Sequence, residues 1–97
     1  MIRVNQNKGF SMTFKNGLTI SVQFGTGNYC SRRDFIAAIV SEKDSDICES
    51  DDAEIAIWDS NNTWFNFGSD TVKGWVSVDE VGDWINRTMN ATSIETL

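Results

Sequence analysis

The chain has no histidine and no proline among its 97 residues, and only two cysteines. Without histidine, the Ser-His-Asp and Cys-His nucleophile systems and imidazole metal sites are excluded. Cys30 and Cys48 are too few to staple a miniprotein, and their spacing fits no zinc pattern. They read either as free thiols in a reducing compartment or as a single bridge. No apolar run approaches the roughly 20 residues needed to cross a bilayer. Residues 3–8 are polar and lack the apolar core of a secretory signal, so the expectation is a cytoplasmic chain. Bases are also scarce: eight against 14 acids, for a net charge of −6. Direct nucleic-acid binding is disfavoured, because neutralising phosphates needs clustered Lys and Arg. A basic protein partner, or a small anion held by a local basic spot, stays open.

What is present reads as one small α+β domain over residues 1–97. Phe10, Met12 and Phe14 alternate with polar residues, as do Leu18, Ile20, Val22 and Phe24, and Asn16-Gly17 lies between the two runs. That pattern predicts a β-hairpin with one apolar face, because both turn residues tolerate positive φ. Ala53 to Asp59 alternates again, and Thr63 to Phe67 (TWFNF) is expected to pair back on it as a second hairpin. Residues 71–76 are expected to be a short extended segment. Ser77-Val78-Asp79-Glu80 is a capping box opening a helix to about Met89. Its apolar face is read as Val78, Val81, Ile85 and Met89, with Trp84 and Thr88 alongside. The resulting fold class is a mainly antiparallel sheet built from two β-hairpins, with the C-terminal helix packed on one face. Residues 31–40 read either as a short helix capped by Ser31 or as an extended segment, since Ile36, Ile39 and Val40 are β-branched. Residues 41–52 are expected to form an acidic surface loop, and residues 91–97 a frayed tail.

Candidate chemistry concentrates after the first hairpin. Gly25, Gly27, Asn28 and Tyr29 would expose successive amides as an anion-binding concavity, and Arg32 or Arg33 would add bidentate contacts to phosphate. Tyr29, or an exposed tryptophan, would stack on a base. The competing reading is a glycine-containing strand exit with solvated arginines. Neither phosphate-loop fingerprint is matched. Cys30 lies near Arg32 and Arg33 but has no partner base, so no catalytic residue is assigned. Glu42, Asp44 and Asp46 lack the ligand order of a calcium loop, so neither a metal nor a cofactor is assigned. Trp58 falls on the strand face opposite Ile55 and Ile57 and is expected to point outward, as an interface or ligand platform.

The strings FKNGLTISVQFGTGNYC (14–30), AEIAIWD (53–59) and VKGWVSVDEV (72–81) resemble those of a family of small proteins of tailed phages and prophages. The family carries no assigned activity. The resemblance implies an accessory protein working in the cytoplasm of the host bacterial cell. The expectation is therefore a non-enzymatic protein that binds a host protein and inhibits antiviral defence, through Gly25, Gly27, Asn28, Tyr29, Arg32, Arg33 and Trp58 with the acidic loop. Two alternatives stand beside it. One is a sponge for a nucleotide-like signal held by the 25–33 loop. The other is a structural homodimer formed through a sheet edge or an exposed tryptophan.

Overall fold

The computed structural model describes residues 1–5, 8–25 and 49–97. Among these residues five strands form one antiparallel sheet in sequence order: β1 (Ile2–Asn5), β2 (Gly9–Thr13), β3 (Thr19–Gln23), β4 (Asp52–Trp58) and β5 (Lys73–Ser77). Among the described residues one α-helix, α1 (Val78–Asn90), packs across β3, β4 and β5. The fold is α+β, with the helix on one face of the sheet.

The alternating residues of β2 and β3 fall into register with β4. Met12 faces Ile20, which faces Ile57; Phe10 faces Val22, which faces Ile55. Because side chains in a strand alternate between faces, these rows share one side of the sheet. Ile20, Ile55 and Ile57 are fully buried there. The β2–β3 turn closes with Phe14 N donating to Leu18 O at 2.9 Å and Gly17 N to Phe14 O at 3.0 Å. It is a three-residue loop in which only Gly17, at φ +86°, is left-handed. Asn16 serves another purpose: its amide donates to the carbonyls of Thr88 and Ala91, each at 2.8 Å, at the C-terminal end of α1.

Four expectations change. First, residues 2–5, which the sequence reading assigns to no element, form a strand; their Ile-Arg-Val-Asn alternation is only four residues long. Second, Thr63–Phe67 returns along β4 only briefly, through a single bridge between Trp58 and Trp64. The strand that pairs with β4 is Lys73–Ser77, reached after the excursion of residues 59–72. TWFNF leaves the sheet because Phe65 and Phe67 turn into an aromatic cluster with Trp84. Third, the helix is rotated from its expected phase: Val81, Trp84, Ile85 and Thr88 face the core, while Val78 and Met89 are exposed. Ser77 does cap it, accepting from Glu80 N at 3.3 Å. The Glu80 carboxylate does not complete the box; it accepts from Trp84 Nε1 at 3.2 Å and lies 3.6 Å from Lys73 Nζ. Fourth, the tail does not fray. Residues Ile94–Thr96 form a 3-10 turn that buries Ile94 in the core and packs Leu97 against it.

Candidate binding surface

Trp58 ends β4. Its register partner is Thr19, whereas Ile57 faces Ile20, so Trp58 stands on the sheet face turned away from the core. It is half-buried rather than free, because Trp64 lies over it with ring centroids 4.8 Å apart and planes 25° from parallel.

The turn between the two indoles is built from side-chain hydrogen bonds. Asp59 Oδ1 accepts from the amides of Asn61 and Thr63, each at 2.9 Å. Asn62 sits at φ +61°, a conformation that asparagine tolerates better than most residues. Beyond the turn, Phe65 N donates to Ile57 O at 2.8 Å, which fixes the phase of the returning chain. Alternation then sends Trp64 to the open face and Phe65 and Phe67 to the core side. There both phenylalanines meet Trp84, at centroid distances of 5.8 and 5.0 Å. The far side of the cluster is closed by Arg87, whose guanidinium lies 4.0 Å over the Trp84 ring. A single short segment thus anchors itself with phenylalanines and presents Trp64 at 44% exposure.

From Trp58 toward β1 the open face is low and polar. The Thr13 and Thr19 hydroxyls meet at 2.8 Å beside Trp58. The next row runs Arg3, Ser11, Ser21, Ala56 across four strands. Gln23 Nε2 donates to Ser21 Oγ at 2.9 Å. The arrangement is a shallow hydroxyl-rich floor with a raised indole pair at one end, suited to stacking and to hydrogen bonding with a flat partner.

Gly25 lies elsewhere. It is buried, its amide donates to Lys8 O at 3.0 Å, and a Cβ there would come within 2.6 Å of Lys8 Cα. Close approach to the β1–β2 turn therefore accounts for this glycine, and that amide is already engaged by protein. Gly25 follows the end of β3, while Trp58 pairs with its beginning, so at about 3.4 Å per residue the two stand about 20 Å apart along the strand. The fold does not join them into one patch. Gly27, Asn28, Tyr29, Arg32 and Arg33 lie outside the described residues, as do Cys30, Cys48 and the acidic positions 42–46.

A second concave feature sits on the core face at the start of α1. It is an apolar groove of about 360 Å³ lined by Phe10, Val22, Phe24, Val76 and Val81, with Glu49 and Asp52 also contributing. Among the described residues no group of three or more Cys, Asp or Glu side chains is placed to hold a metal ion. No helix among them is long and apolar enough to cross a membrane. The sequence signal for Trp64 is its alternation with Phe65 and Phe67, which sets it on the face opposite the two phenylalanines.

Compared with protein-family models, curated proteins and solved structures, the chain matches none.

Proposed function

We propose that this is a non-enzymatic binding protein whose Trp58–Trp64 face engages a protein partner. The observation that carries the reading is the exposed Trp64 ring, held rigidly over Trp58 by the Asp59 turn. Tryptophan is enriched among the residues that dominate binding energy, and a pre-positioned ring loses little freedom when a partner lands on it. On the resemblance to small phage proteins, the partner is a host factor in the bacterial cytoplasm, and the consequence of binding is inhibition of antiviral defence.

The test compares tagged wild type with Trp64→Ser in pull-downs from bacterial lysate, with mass spectrometry of what is retained. A host protein held in stoichiometric amount by the wild type and lost by the variant, whose urea unfolding remains a single cooperative transition, supports the reading. Equal retention by both removes the Trp58–Trp64 face from the account, and retention of nothing by either removes the reading itself.

A further inference from the structure

The two edges of the sheet are built differently. At the β5 edge the register with β4 slips: Val76 faces Ala53 and Lys73 faces Ile55, so Gly74 and Trp75 together oppose Glu54. This is a β-bulge, and Trp75 within it is left-handed at φ +50°. A bulged, twisted edge is a poor template for another strand. Among the described residues the β1 edge has no such device. Its pairing with β2 runs without a slip from Ile2 to Asn5, and all four of its residues are exposed.

The hydrogen-bond phase of β1 is fixed at its start. Met1 N donates to Thr13 O at 3.1 Å and Thr13 N to Met1 O at 2.8 Å, so Met1 and Thr13 form a mutually bonded pair. Such pairs alternate along an antiparallel ladder. Arg3 and Asn5 therefore turn their backbone groups toward β2, and Ile2 and Val4 turn theirs outward. The side chains divide in the same way. Ile2 and Val4, 69% and 74% exposed, share the face of Met12 and Phe10, while Arg3 stands on the opposite face beside Ser11.

Charge is distributed along the same axis. The first 33 residues hold five bases and no acid, and all 14 acids come later in the chain. Because the strands lie in sequence order, the β1 side of the sheet carries Arg3 and Lys8, with Lys15 in the β2–β3 turn, and every acid among the described residues lies from Glu49 onward, in or after the approach to β4.

We infer that the β1 edge accepts an extended strand from a partner protein, one whose side chains alternate between apolar and acidic. The outward backbone groups of Ile2 and Val4 would pair with the incoming main chain, as in other strand-addition complexes. Apolar side chains of the guest extend the row begun by Ile2 and Val4, and its carboxylates lie on the face of Arg3. A second copy is a poor occupant. Pairing β1 with β1 would bring two acid-free edges together, and like charges across strands are destabilising; the other edge is bent away. The inference rests on the protein-binding reading above and adds a second, separate contact surface to it.

The probe is a short fluorescein-labelled peptide of alternating valine and glutamate, blocked at both ends, followed by anisotropy against the full chain. A valine–lysine peptide of equal length is the control. The expected result is saturable binding of the glutamate peptide, about tenfold or more tighter than the control, with Ile2 and Val4 amides slowed in hydrogen exchange. Val4→Pro removes an outward amide, which an edge strand tolerates, and should abolish binding with the fold retained. Arg3→Glu leaves the backbone untouched and should reverse the preference toward the lysine peptide. Equal binding of both peptides, or no saturation by either, overturns the inference. So do Ile2 and Val4 amides already slow in the free protein, or a dimer that Val4→Pro dissolves. Trp64→Ser should bind the glutamate peptide normally, so failure here and failure of the Trp58–Trp64 surface are read separately.

Discussion

The Asn16 side-chain amide donates to the Thr88 carbonyl at 2.8 Å across 72 positions of sequence. With a second bond to Ala91 O at 2.8 Å, it satisfies carbonyls that the end of α1 leaves without helical partners. Its Oδ1 meanwhile accepts from Leu18 N at 3.0 Å, so one side chain shapes the β2–β3 turn and latches the helix to it.

Asn16→Ala removes these bonds at a part-buried site and should cost about 2–3 kcal/mol of stability, at about 1 kcal/mol for each lost bond. Urea unfolding of the two proteins under identical conditions measures it. A loss under about 0.5 kcal/mol would mean that water replaces the amide at the helix end.

Two glycines near the first hairpins should respond very differently to alanine. At Gly9, φ is +153° and a new Cβ would press on the Val22 carbonyl and come within 2.7 Å of Gln23 Cα, where β2 meets β3. Gly9→Ala should cost about 3 kcal/mol or more, because neither backbone can retreat without breaking the ladder. At Gly17, φ is +86° but the nearest atom is Ser60 Oγ at 3.9 Å. Gly17→Ala should therefore cost only the left-handed backbone penalty, about 1–2 kcal/mol. Thermal melts of the pair rank them, and the reverse order would contradict the register.

Gly82 sits mid-helix on the exposed side of α1, and a Cβ there meets nothing within 4 Å. Gly82→Ala should raise stability by about 0.5–1 kcal/mol by restricting the unfolded chain and suiting the helix. The check is an upward shift of the denaturation midpoint with no change in slope.

The stacked indoles of Trp58 and Trp64 should give an exciton couplet in far-ultraviolet circular dichroism. Trp64→Ser should abolish it while costing about 1 kcal/mol, the usual worth of an aromatic pair. A couplet that persists would place its origin in another tryptophan pair.

The elements that could be read from the sequence are those whose residues report on two sides at once. Phe10, Met12, Ile20 and Val22 alternate with polar neighbours because one face of their strands is buried and the other is not. The same rule put Trp58 opposite Ile55 and Ile57. β1 is harder to read because its Ile2-Arg3-Val4-Asn5 alternation is only four residues long and none of the four is buried. The true partner of β4 escaped because Thr63–Phe67 has strand-like alternation, yet its phenylalanines follow Trp84 rather than the ladder. The helix departs from its expected phase at its ends. Val78 and Met89 fit a helical stripe numerically, but the contact with the sheet is centred on Val81, Ile85 and Thr88. Asn16 showed only its turn preference, since its partners lie at the far end of the chain.

The order of elements also matters as the chain folds: among the described residues all five strands precede α1, so strand pairing can run ahead of the docking of α1 over Ile20, Ile55 and Ile57. In that interval the bare apolar face is an adhesive surface of the kind that chaperones hold and that aggregates recruit. Release from that hazard comes when α1 closes over the sheet and Asn16 catches the Thr88 carbonyl.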